Sequence, residues 1–98
     1  MSDVVRTLCY LPYFARAIRR HIGRDSKRLV CLVETLLLMV EDPRNPALET
    51  HALRGSKKGL LSCSCGYDCR IIFRLDPGKK SGEQDIVLID VGTHDEVY

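Results

Sequence analysis

Two histidines, His51 and His94, stand among residues that together could move protons at a phosphodiester. Histidine is the one side chain whose unperturbed pKa lies near neutral pH. His94 follows an apolar run, Ile86-Val87-Leu88-Ile89, and then Gly92; Asp95, Glu96 and the aromatic Tyr98 come after it. A histidine placed where a rigid strand gives way to a loop occupies a position that is disproportionately functional. His51 opens a basic stretch that carries Arg54, Lys57 and Lys58 between glycines. Asp68 and Arg70 lie between these regions, and strand alternation would put both on one face. The set offers two potential proton-transfer groups, Arg70 as a fixed planar cation, the lysines as flexible cations, and an aromatic. It suits cleavage of RNA without a metal. One group removes the 2′-hydroxyl proton, a second protonates the departing 5′-oxygen, and the cations balance the charge of the phosphorane. Tyr98 could stack on a splayed base. Each residue also has a plainer use. Arg70 suits a surface ion pair, Asp68 a turn, His51 a loop, and residues 92–98 a frayed polar terminus.

Five cysteines, Cys9, Cys31, Cys63, Cys65 and Cys69, raise two other chemistries. Cys63, Cys65 and Cys69 with His51 have the donor types of a zinc site, but not the paired spacing that structural zinc uses. Cys63 and Cys65 would share one face of a strand, with Cys69 across a turn, so cysteine acting as a small apolar residue is the better reading. A nucleophilic thiol wants an activating base or a helix N-terminus, and the strand-like stretch around these cysteines has no helix start beside it. No metal and no small-molecule cofactor is expected. The odd cysteine count, with no charged-then-apolar leader after Met1-Ser2-Asp3, points to reduced thiols in a cytoplasmic protein.

These residues need elements to hold them. Arg6–Tyr10 reads as a short strand. Pro12 suits a helix start, and Phe14, Ala17, Ile18 and Ile22 recur at helical spacing until Gly23. Asp25 or Ser26 can cap a second helix whose apolar stripe is Leu29, Leu32, Val33, Leu36, Leu37 and Val40. Asp42-Pro43-Arg44-Asn45-Pro46 ends it, since proline cannot continue a helix. Residues 50–59 read as a loop or irregular edge. Residues 60–65 alternate as a strand, Gly66-Tyr67 turns the chain, 68–75 returns, and 85–91 is apolar enough to be central in a sheet. The order β-α-α-β-β-β predicts an α+β fold. It has two antiparallel N-terminal helices on one face of a mostly antiparallel four-stranded sheet, as a single domain over residues 1–98.

Composition fits that picture. Hydrophobic residues make up 45% and charged residues 29% of the 98, which excludes a disordered chain. The longest apolar run, Leu36–Val40, is far too short for a membrane span. The net charge of +2 is uneven: residues 1–58 carry eleven Lys/Arg against six Asp/Glu, and residues 59–98 carry four against seven. The basic part is compatible with a polyanion partner.

The stretch Gly66-Tyr67-Asp68-Cys69-Arg70-Ile71-Ile72-Phe73, followed by Ile89-Asp90-Val91-Gly92-Thr93-His94-Asp95-Glu96-Val97-Tyr98, resembles the RelE/ParE superfamily of bacterial toxins. The likeness is strongest to its YafQ-like messenger-RNA interferases. It extends to Tyr10-Leu11-Pro12-Tyr13-Phe14, the two helices, the Asp42-Pro43 break and the basic loop. The resemblance implies a toxin held inactive by a cognate antitoxin protein, which when free cleaves mRNA in the ribosomal A site. It implies catalytic roles for His94, His51, Asp68, Arg70 and Tyr98, and RNA contacts from Arg54, Lys57, Lys58 and Arg70. Two departures stand out: Ser64 aligns with a second histidine of YafQ-like toxins, and Cys69 with a tryptophan. The alternative within the fold is a non-enzymatic member, either a ParE-like DNA gyrase inhibitor or a degenerate partner-binding module. His94 and Tyr98 argue against the gyrase branch.

Overall fold

The structure, a computed structural model, describes residues 4–98; the leader reading on Met1-Ser2-Asp3 lies outside them. The chain runs through β1 (Val5–Tyr10), α1 (Pro12–His21), α2 (Ser26–Glu41), β2 (His51–Ala52), β3 (Leu61–Ser64), β4 (Arg70–Pro77), β5 (Glu83–Gly92) and α3 (His94–Val97). Single 3-10 turns cover Pro46–Leu48 and Gly55–Lys57. The sheet order is β1-β5-β4-β3-β2. The α+β class and the central place of the last strand are as expected. The sequence predicts four strands, and the structure has five. The additional one is His51–Ala52, paired antiparallel to β3 at the sheet edge, where two residues are too few to show any period. β1 runs parallel to β5, so the sheet is mixed.

Local chemistry explains the helices. Pro12 opens α1, and Gly23, with φ +53, ends it by donating its N–H to the Ile18 carbonyl. The Asp25 carboxylate accepts the N–H groups of Lys27 and Arg28 and so caps α2. Arg28 Nη1 then donates to the His21 carbonyl at 2.6 Å, a cation at the C-terminal end of α1. α1 packs on β5, and α2 joins the same core over β3, where Met39 Sδ meets Cys63 Sγ. The predicted stripe of α2 is corrected here. Leu32, Thr35 and Met39 are buried, whereas Leu29, Val33 and Leu37 face solvent. Thr35 is tolerated inside because its hydroxyl donates to the Cys31 carbonyl at 2.7 Å.

The core joins Phe14, Ala17 and Met39 of the helices to Leu61, Cys63, Ile71, Phe73, Ile86, Leu88 and Val91 of the sheet. A bulge sets the faces. Phe73 pairs with Leu88 and Ile72 with Asp90, so Ile89 has no partner of its own in β4. Leu88 and Val91, three apart, therefore both join the core, while Asp90 and Gly92 fall on the other face with Ser62 and Arg70. The candidate residues gather on that other face.

Candidate active site

The segment Thr93–Tyr98 is a capped helical turn rather than a frayed end. The Thr93 hydroxyl accepts the Glu96 N–H at 3.3 Å, and Glu96 Oε1 accepts the Thr93 N–H at 2.8 Å. The pattern T-x-x-E at Thr93–Glu96 is a capping-box signature and was the available signal for this helix. Glu96 also ties α3 to α1: Oε1 lies 3.2 Å from His21 Nδ1, and Oε2 lies 3.7 Å from Arg20 Nε. Arg20 further approaches Asp90 at 3.5 Å. Neither His21 nor Arg20 nor Glu96 stands out in the sequence. Gly92 is needed beneath them, because a Cβ there would sit 3.0 Å from Glu96 Oε1 and 3.3 Å from Val97 Cγ1.

The turn presents His94 to solvent with its ring edge-on to Tyr98, centroids 4.4 Å apart and planes at 86°. This T-shaped contact fixes one aromatic by the other. The Tyr98 hydroxyl is hydrogen-bonded to the hydroxyl of Ser62, which is fully buried. Ser62 is the register partner of His51. The short edge strand thereby carries the basic loop to the tail. A cavity of about 320 Å³ lies between them, lined by His51, Leu53, Arg54, Ser56, Lys57 and Tyr98. His51 Nδ1 is 3.4 Å from the Glu49 carbonyl. Lys58 is exposed beside this cavity but is not part of its wall. Arg70 is opposite both Ser64 and Gly92, on the face shared with Ser62, and forms no ion pair among the described residues. Asp90 is nearly buried there, and desolvation pushes its carboxyl up from the ordinary value, against the Val91 N–H and the charges of Arg20 and Lys57.

Asp68 is placed differently from expectation. β4 begins at Arg70, and Asp68 sits in the preceding turn with φ +51, so the alternation that would put it beside Arg70 is broken. It lines a second cavity with His21, Cys31, Cys65, Cys69 and Thr93, apart from the His51–Tyr98 cavity. Ser64 turns its hydroxyl to the Gly66 carbonyl at 3.4 Å. Cys69 is buried. Among the described residues, no group of His, Cys, Asp and Glu is arranged to hold a metal ion. No helix among them is long and apolar enough to cross a membrane.

The Glu96 hub has a pH signature. The Thr93 N–H holds this carboxyl below its ordinary 4.5, partial burial opposes the shift, and the Thr93 hydroxyl and His21 add to it. The folded state thus favours the charged form. Its contribution is present above 4.5 and is lost as pH falls through the folded-state pKa. Acidification through the folded-state pKa of Glu96, below its ordinary 4.5, should release α3 before the core unfolds. His94 and Tyr98 resonances followed by NMR would show it, and Glu96→Gln should remove that acid transition. Persistence of the transition in the variant would assign it elsewhere.

No family model matches the sequence, and no curated protein matches it. Solved structures do. The chain is similar to YafQ from Escherichia coli, at 22% identity over 95% of this chain and 98% of that one, with a TM-score of 0.67. It is similar to a YoeB/ParE toxin from Agrobacterium tumefaciens, at 14% identity over 90% and 98%, with a TM-score of 0.74. It also matches a chain of the Escherichia coli DinJ-YafQ toxin-antitoxin complex at 23% identity over 97% and 99%, with a TM-score of 0.66. At these identities the likeness is one of architecture: the chain has the RelE/ParE-like toxin fold, in the form seen in YafQ.

Proposed function

We propose that this chain is the toxin of a toxin–antitoxin pair, acting in the cytoplasm as an endoribonuclease on ribosome-bound mRNA. The observation that carries this reading is the convergence of His51, Arg54, Lys57 and Tyr98 on one cavity, with His94 seated against Tyr98. Such a cleft has cations for a phosphate chain, an aromatic face for a base and two imidazoles for proton transfer. In this reading one imidazole takes the proton of the 2′-hydroxyl and the other protonates the 5′-oxygen. Arg70, on the same face and without an ion-pair partner among the described residues, steadies the phosphorane. Arg54, Lys57 and Lys58 hold the flanking phosphates. Asp68 lies on the wall of the other cavity, so its expected catalytic role has the least geometric support. The DinJ-YafQ complex motivates a cognate antitoxin protein as the partner that holds this chain inactive.

The test is purified protein with translating ribosomes and a defined mRNA. Cleavage at a single codon position, leaving a 2′,3′-cyclic phosphate, is the expected product of attack by the 2′-hydroxyl. Intact mRNA together with inhibited supercoiling by DNA gyrase would replace this reading with the non-enzymatic one.

A further inference from the structure

Three of the five cysteines line the cavity on the helix side of the β3–β4 turn, far from any role in the proposed cleavage. This cavity, about 360 Å³, is bounded by Cys31, Cys65, Cys69, His21 and the cations Lys27 and Arg28. Cys65 and Cys69 continue the β3–β4 register one step past Ser64 and Arg70, and the Cys65 N–H donates to the Cys69 carbonyl at 2.9 Å. The link between them is three residues long, folded by positive φ at Gly66 (+70) and Asp68 (+51). Directly opposed residues of an antiparallel pair have Cα atoms about 4.5–5.5 Å apart, inside the range a disulfide spans. Both side chains point to the helix side, the side of Cys63, and both are part of the cavity wall.

We propose that Cys65 and Cys69 are a redox-active dithiol, a site that a hydroperoxide oxidises to an intramolecular disulfide.

The two sulfurs have unequal work. The neighbouring Cys69 thiol brings the Cys65 thiol down to about 7, and burial opposes this. Cys69, which keeps the shared proton, is raised. The pair thus favours the thiolate at Cys65, the form that reacts. Cys63, two residues earlier on the same face, is the contrast. Burial pushes its thiol up to about 12, and its sulfur contacts Met39 instead of the cavity. A thiol beside a resolving partner is a pairing that redox-sensor cysteines often have; here both residues are buried, and the cavity they line is the way in for the oxidant.

The Cys65 thiolate attacks one peroxide oxygen, forming an S–O bond as the O–O bond breaks, and hydroxide leaves. The product is the Cys65 sulfenic acid. The Cys69 sulfur then attacks the Cys65 sulfur, the S–S bond forms, and the sulfenic oxygen departs with the thiol proton as water. One thiolate, one thiol, the proton that Cys65 had released and one hydrogen peroxide give one disulfide and two waters. The peroxide is the oxidant, and a dithiol reductant reverses the step.

The full-length reduced protein is treated with hydrogen peroxide at pH 7, quenched with an alkylating agent and weighed intact. The expected change is the loss of two hydrogens with two thiols protected from alkylation. Chymotryptic cleavage after Tyr67 separates Cys65 from Cys69 in sequence, so their peptides should stay joined until reduced, with fragmentation placing the bond at Cys65. Cys65→Ser should lose the link, and Cys63→Ala should keep it. Because either variant could misfold, the mapping on the unaltered chain decides. A bond through Cys31 or Cys63, stepwise oxygen addition at Cys65 with no link, or oxidation confined to Cys9 and Cys31 would each overturn the proposal.

Discussion

His94→Ala is expected to lower mRNA cleavage on the ribosome by about 10²- to 10⁴-fold, the range a positioned acid or base contributes. The fold should survive it. The His94 side chain is 64% exposed; it packs on the Tyr98 ring, and its Nδ1 lies 3.5 Å from Asp95 Oδ1. Losing an edge-to-face contact at the surface removes on the order of 1 kcal/mol or less. The capping box does not use the His94 side chain, so α3 keeps its start. The expected pattern is therefore a small change in Tm, lost cleavage, and lost growth arrest when the chain is expressed. Cleavage at the unaltered rate would remove His94 from the mechanism. His51→Ala run alongside separates the two imidazoles: if His51 carries the other proton transfer, its loss should cost a comparable factor.

The largest expected loss of stability is at Phe73. Its ring is fully buried, with Leu61 of β3 and Leu88 of β5 as register partners, directly beside the bulge. Phe73→Ala removes that apolar area and leaves a cavity in a sheet that the bulge pins in register. About 3–5 kcal/mol is expected from such truncations. A domain of this size has about 5–15 kcal/mol in all, so the variant should lose a large fraction of its stability. Urea unfolding gives the measurement, read at constant m-value. Leu37→Ala is the control on the other face of α2. Leu37 is 64% exposed, so its truncation should fall within about 0.5 kcal/mol. If Leu37 proved the costlier site, the assignment of the outward face of α2 would be wrong.

The elements were legible wherever local chemistry decides them. Pro12, Gly23, Asp25 and the Asp42-Pro43 break bound the helices as read, and the alternation at Leu61, Cys63 and Cys65 placed β3 and its core face. Legibility failed where the answer is set by distant parts of the chain. The outward turn of Leu29, Val33 and Leu37 depends on how much of α2 the sheet can cover, and hydrophobic spacing carries no record of that. Strand alternation could not anticipate the bulge at Ile89, since a bulge leaves the period intact on each side of it. The site was half visible. His94, Tyr98, His51 and the basic loop are conspicuous by residue type, but the pairing of His51 with Ser62, which brings loop to tail, exists only in the register. The capping box at Thr93 and Glu96 could have been read from four consecutive residues, and with it the helical form of the tail.

The parallel pairing of β1 with β5 joins Val5 to Glu83 and Tyr10 to Leu88, and Arg6 Nε donates to the Gln84 side chain at 3.0 Å. Each of these contacts closes a loop of most of the chain. Such closures are costly in chain entropy and slow to find. The helices and the β3–β4 hairpin can form from neighbours in sequence as the chain is made. The strand that joins β1 to the β3–β4 hairpin is made after both, and the turn bearing His94 and Tyr98 follows it. Assembly is therefore close to all-or-none in time: a nascent chain that has not reached residue 83 has helices and a hairpin but nothing to join β1 to β4, and no His94–Tyr98 pair. During synthesis the exposed β1 and the unfilled side of β4 would be open strand edges, and this interval is when the chain is most exposed to mispairing.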